Sequence, residues 1–126
     1  MAGYNHALLP LCDCLCGRIS RRADWKAIIA LANHTWTTPS LIACVRQHRA
    51  LLPEDVVTYV QELHDRNEIR NERLNAQLEE AVLALNGVGI VPLLIKGAAM
   101  LATSQPSVRA LRLMSDLDLI VRPEEI

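Results

Sequence analysis

The stretch Met114-Ser115-Asp116-Leu117-Asp118-Leu119-Ile120-Val121 decides how this chain reads. From Asp116 to Val121 charged and apolar residues alternate, as they do in a strand with one face buried. Residues two apart on a strand share a face, so the spacing predicts that Asp116 and Asp118 project together. Leu117, Leu119 and Val121 are then predicted to point the other way, into a core. Two carboxylates roughly 7 Å apart along a strand repel each other unless a cation lies between them. Mg²⁺ suits that place, because it takes oxygen ligands and is commonly held by one or two carboxylates together with substrate phosphates. Two such ions, ~4 Å apart, could align an attacking oxygen with an α-phosphorus and stabilise departing pyrophosphate. Taken alone, an Asp-x-Asp pair is more often a solvated strand face.

The neighbouring sequence narrows the choice. Ile90 to Ile95 is a continuous apolar run that predicts a buried strand, with Pro92 near its start or on an edge. Lys96 and Gly97 follow, and Ala98 to Ala102 read as a short helix. Ser104 to Leu113 reads as a loop carrying Pro106, Arg109 and Arg112. A strand that turns into a helix at glycine leaves backbone N–H groups pointing outward, a natural seat for a phosphate. Lys96 can add a point charge for a β- or γ-phosphate. Beyond Val121, Arg122-Pro123-Glu124-Glu125 reads as a further helix start.

Two separated motifs now agree in order and spacing. Leu94-Ile95-Lys96-Gly97-Ala98-Ala99-Met100-Leu101 is followed by Arg112-Leu113-Met114-Ser115-Asp116-Leu117-Asp118-Leu119-Ile120-Val121-Arg122-Pro123-Glu124. Together they resemble an uncharacterised bacterial nucleotidyltransferase family of the polymerase-β superfamily. The order of a glycine turn, an Arg and a Ser-Asp-x-Asp strand is also similar to that of aminoglycoside nucleotidyltransferases. The resemblance covers about residues 88 to 125. It implies that Asp116 and Asp118 ligate catalytic Mg²⁺ and that Gly97 marks the triphosphate-binding turn. It implies nucleotide contacts for Lys96, Gly97, Arg112 and Ser115, although Arg112 serves equally well as a buttress of its loop. Two departures stand out. Many superfamily members have Gly-Ser at the turn, where this chain has Gly97-Ala98. The superfamily's third carboxylate lies on a later strand, and the sequence stops at Ile126 before any such strand. On that reading the 126 residues alone are expected to lack activity.

The first half reads as helices. Ser20 is a candidate cap for a helix with Trp25, Ile28, Ile29 and Ala32 at helical spacing, ended by Asn33 and the Thr-rich stretch 35–38. Thr38-Pro39 predicts a second helix reaching about Leu52, burying Leu41, Ile42, Val45 and Leu52. Pro53-Glu54-Asp55 starts a third helix that could reach Leu85 before Asn86 and Gly87 stop it. Val56, Val60 and Leu63 make one apolar stripe; Leu74, Leu78, Ala81, Val82 and Leu85 make another. The polar middle, His64 to Arg73, reads as a solvated helix face or a break between two helices.

Other features carry less. Cys12, Cys14, Cys16 and Cys44 lack the paired spacing of a structural zinc site or a disulfide framework, and read as reduced thiols. His6, His34, His48 and His64 are scattered and read as surface or helix-end residues. Trp25 and Trp36 read as core or groove packing, and Gly87-x-Gly89 as a helix stop. The chain is 51% hydrophobic with a net charge of -1, so a core is available and no basic field points to nucleic acid. No run approaches the ~20 apolar residues of a membrane span, and the N-terminus lacks a targeting pattern, so a cytoplasmic protein is expected.

The expected fold is α+β: a helical region over 1–87, then over 88–126 the start of a small mixed-sheet nucleotidyltransferase domain. The expected function is Mg²⁺-dependent transfer of a nucleoside monophosphate from an NTP to an acceptor hydroxyl on a small molecule or protein. The rival expectations are a truncated or degenerate interaction module without activity, and a protein that binds NTP without turning it over.

Overall fold

The computed structural model of the protein describes residues 5–126. Helices dominate, with one small antiparallel sheet, so the fold is α+β. Contacts divide the chain into two compact units: residues up to Asn67 with Leu111–Leu113, and Glu68–Ala110 with Met114–Ile126. The division falls inside a single long helix. No described helix is long and apolar enough to cross a membrane.

The first unit begins with α1 (Asn5–Leu15), which carries Pro10 in its interior. Proline removes one N–H from a helix interior and crowds the preceding turn. Ala7, Leu11 and Cys14 nonetheless recur at helical spacing and are all buried, so packing outweighs local propensity here. Next comes α2 (Trp25–His34), capped not by Ser20 but by Asp24, whose carboxylate accepts from the Ala27 N–H at 3.2 Å. The helix predicted from Thr38 to Leu52 is in fact three pieces. A 3₁₀ turn at Thr38–Leu41 leads into α3 (Ile42–Gln47), and a second 3₁₀ turn follows at Arg49–Leu51. At the break, the His48 Nε2–H donates to the Gly17 carbonyl at 2.9 Å, an interaction that no periodicity encodes. The predicted buried side survives the break, with Leu41, Ile42, Val45 and Leu52 all in the core. There they join Ile28, Leu31, Val57 and Val60, each such side chain contributing about 1.5–3 kcal/mol by leaving water.

Helix α4 (Glu54–Gly87) runs where the third helix was predicted and stays continuous through its polar middle. Glu54 and Asp55 occupy its first turn, where the helix dipole favours negative charge. It stops as read: the Gly89 N–H bonds the Asn86 carbonyl and the Ile90 N–H bonds that of Leu85, with Gly89 at φ +79°.

In the second unit, Leu74, Leu78 and Val82 of α4 pack with Ala98, Leu101 and Met114. The strands are shorter than predicted: β1 is Leu93–Ile95 and β2 is Asp118–Ile120. They pair antiparallel, Leu93 opposite Ile120, Leu94 opposite Leu119, and Ile95 opposite Asp118. Leu94 and Leu119 join the core, which assigns Ile95 and Asp118 to the other face of the sheet. That face is open, so β1 is not the fully buried strand its apolar run suggests; Leu93 is 62% exposed. Helix α5 (Lys96–Thr103) follows β1 directly. The predicted loop contains a further short helix, α6 (Pro106–Arg109). A 3₁₀ turn at Pro123–Glu125 follows β2.

Candidate functional site

The turn from β1 into α5 builds one side of the site. Ile95 is extended, at φ -128° and ψ 162°, and α5 begins at the next residue. The left-handed backbone falls on Lys96, at φ +52°, and not on the glycine beside it. For a residue with a Cβ that conformation costs about 1–2 kcal/mol. Gly97 serves packing instead: a Cβ there would overlap the terminal methyl of Met114 and press on its sulfur. The close approach seats Met114 against the first turn of α5, two residues before Asp116. No side chain caps α5; Lys96 at its start is exposed, whereas Gly97 and Ala98 behind it are buried.

Asp118 builds the other side. It opens β2 opposite Ile95, which brings its carboxylate to the residue after Ile95. The Lys96 Nζ lies 3.1 Å from Asp118 Oδ2. The Asp118 side chain is 34% exposed and that of Lys96 is 68% exposed, so the pair is held by the turn yet reachable from solvent. Asp116 lies two residues before β2, outside the predicted strand. Strand alternation therefore does not set its direction. Its carboxylate is exposed and accepts from the Ser115 hydroxyl at 3.4 Å. Lys96, Gly97, Ser115, Asp116 and Asp118 thus belong to one compact unit, whereas Arg112 belongs to the other with Leu111 and Leu113.

The chain between α5 and β2 is tied to α4 by residues that sequence reading passed over. In the first unit the Asn67 amide donates to the Arg112 carbonyl at 3.0 Å. In the second the Asn71 amide donates to the Arg109 carbonyl at 2.6 Å. Both asparagines are almost completely buried. The polar middle of α4 is therefore not simply a solvated face. The Arg109 Nε–H also donates to the Ser104 carbonyl at 2.9 Å, closing the segment on itself. The available signal was Asn67 and Asn71, four residues apart on one helix face among charged neighbours.

Away from this site, several readings change. His64 is buried, not at the surface, and its Nδ1–H donates to Asp65 at 3.2 Å. That bond, with a second from Gln61, holds the Asp65 carboxyl below its ordinary range. Trp25 packs at the core edge as expected, but Trp36 is 61% exposed with a left-handed backbone. Cys14 and Cys44 are buried and Cys12 and Cys16 exposed. Burial, with Cys44 beside it, pushes the Cys14 thiol far up, toward an inert form. A cavity of about 450 Å³ in the second unit is lined by Leu78, Val82, Leu94 and Leu101, with Glu79 and Arg109 among its polar residues. It adjoins Leu94, on the sheet face opposite Asp118, and so lies apart from the carboxylates.

No curated protein and no solved structure matches the chain significantly. Residues 21–126 match the family described as uncharacterised nucleotidyltransferase, a span that holds both motifs and most of the helical unit. The chain therefore belongs to that nucleotidyltransferase family.

Proposed function

We propose that the chain binds an NTP through Mg²⁺ held by Asp116 and Asp118, as the donor side of nucleotidyl transfer to an acceptor hydroxyl. The observation that carries this reading is the junction of Asp118 with the uncapped start of α5, where Lys96 already places positive charge against the carboxylate. The donor set suits the ion's chemistry: two carboxylates reachable from solvent, one of them already paired with an ammonium. When bound, Mg²⁺ supplies charge neutralisation for the phosphates and polarises the phosphoryl group.

The chain's own residues do the rest. The leading N–H of α5 donates to phosphate oxygens at the positive end of the helix, and Lys96 contributes a mobile point charge beside it. Asp118 is fixed by its pairing with Ile95, and Asp116 lies two residues beyond Met114, which packs against Gly97. The Ser115 hydroxyl supplies an additional donor beside Asp116. In the reaction this reading implies, the oxygen of an acceptor hydroxyl on a small molecule or a protein bonds the α-phosphorus, the bond from that phosphorus to pyrophosphate breaks, and the hydroxyl proton is released. Family membership supports this reaction class over a purely structural role.

The test is calorimetry of the 126-residue chain with each NTP, in Mg²⁺ and in EDTA. Binding is expected only with Mg²⁺, and Asp118→Asn is expected to weaken it by on the order of 100-fold, at the upper end of what disturbing a metal shell costs. Equal binding in EDTA would overturn the metal-bridged site. Pyrophosphate release with a panel of hydroxyl acceptors then separates transfer from simple NTP binding.

A further inference from the structure

Lys96 stands in a position that glycine would fill at least cost. Its backbone is left-handed, at φ +52°, while Gly97 beside it keeps an ordinary helical role. A residue that holds a strained backbone conformation without being glycine invites a reason in its side chain. That side chain ends 3.1 Å from Asp118 Oδ2. It is also 68% exposed, so its four-carbon stem has room to swing.

We propose that Lys96 is an exchangeable counter-ion: it occupies the Asp118 carboxylate while no divalent cation is bound, and turns to the phosphates once one is. This rests on the reading of Asp118 as a metal ligand. An ammonium at 3.1 Å and a divalent cation on the same carboxylate oxygen repel strongly, so the two compete for that place. On leaving Asp118, Lys96 remains rooted at the first residue of α5, beside the leading N–H proposed to bind phosphate. The consequence is a reversal of sign. Lys96 opposes binding of the cation alone and favours binding of the cation together with a nucleotide. A lysine that only contacted phosphate would leave metal binding unaided, and one that only braced the fold would change both in the same direction.

The experiment compares wild type, Lys96→Met and Asp118→Asn by calorimetry with Mg²⁺ alone and with Mg²⁺-ATP. Lys96→Met is expected to tighten Mg²⁺ alone roughly two- to five-fold, the scale of losing an exposed ion pair. It is expected to weaken Mg²⁺-ATP by roughly ten-fold, the scale of one hydrogen bond to a charged group. Unchanged or weaker Mg²⁺ binding in Lys96→Met overturns the exchange. If Asp118→Asn leaves the wild-type affinities intact, the metal site itself fails, whatever Lys96 does. A second measurement uses the wild-type chain, whose only lysines are Lys26 and Lys96. After ¹³C-methylation of both, Mg²⁺ alone should shift the Lys96 signal and leave that of Lys26 in place. A Lys96 signal indifferent to saturating Mg²⁺ also overturns the exchange.

Discussion

The two compact units put their residues to different uses. In the first, apolar side chains from α1, α2, α3 and α4 close on one another, and Ile28, Leu41, Val45 and Val60 are fully buried. Its polar groups largely serve the fold: Asp24 caps α2, and the Thr38 hydroxyl donates to Asn33 Oδ1 at 2.6 Å. The second unit has a thin core beneath a two-stranded sheet whose other face is open at Leu93 and Ile120. There Lys96 and Asp118, at the end of β1 and the start of β2, form an ion pair that solvent can reach. The proposed site falls in the unit with less packing to spare, which is held at a few fixed points: Gly97 under Met114, Asp118 opposite Ile95, and Asn71 on the Arg109 carbonyl.

The comparison can be broken by cavity mutations. Leu41 and Leu101 are both fully buried, one in each unit. Among the described residues, Leu41 sits in a cluster of thirteen buried residues and Leu101 in a cluster of four. Leu41→Ala is expected to cost near the top of the usual 2–5 kcal/mol range, because a surrounded site relaxes little. Leu101→Ala is expected nearer the bottom, because a thin core can collapse into the space. Denaturant unfolding measures both. A larger loss for Leu101→Ala would show that the second unit is the better packed.

What the sequence revealed, and what it hid, follows the same division between local and tertiary causes. The span of α4 was legible because its start and stop signals are chemical: Pro53-Glu54-Asp55 at one end and Asn86-Gly87-Val88-Gly89 at the other. The pairing of the Lys96 turn with Asp118 was legible as two motifs in order, though β2 begins at Asp118 and Asp116 falls outside it. Helix α1 was not legible, because Pro10 is a local veto that burial of Ala7, Leu11 and Cys14 overrides. The turn's left-handed residue is Lys96, and Gly97 packs closely against the end of the Met114 side chain, seventeen positions away, a contact that no local pattern encodes. The buried asparagines of α4 were invisible for the same reason: their partners are carbonyls about forty residues later.

Those asparagines give the next test. Asn71→Ala removes the amide that meets the Arg109 carbonyl at 2.6 Å in a buried setting. The expected loss is about 1–3 kcal/mol, the cost of stranding a buried polar group. Asn67→Ala, acting on the Arg112 carbonyl, belongs to the same class. If α4's polar middle were only a solvated face, either change to alanine would be neutral or slightly stabilising, because alanine is the better helix former. Denaturant midpoints separate the two outcomes by sign.

The smallest expected effect concerns Asp24, which uses its carboxylate for the fold in the way Asp118 is proposed to use its own for a ligand. The Ala27 N–H, and then the His6 ring, hold the Asp24 carboxyl below its ordinary value of 3.8. A carboxylate whose pKa is lowered by folding adds stability that is fully present above the unfolded value and fades as pH falls through the folded one. Asparagine caps helices about as well as aspartate, so Asp24→Asn removes the charge and keeps a cap. The variant should therefore be slightly less stable than wild type at pH 7, where the carboxylate faces the positive end of α2. The two stability curves should converge as pH drops below the ordinary carboxylate range, when wild type loses its charge as well. Thermal melts of both proteins from pH 7 to pH 2 measure the gap. A gap that persists unchanged to pH 2 would mean that the charge is not its source, and that the cap geometry alone distinguishes Asp from Asn at the start of α2.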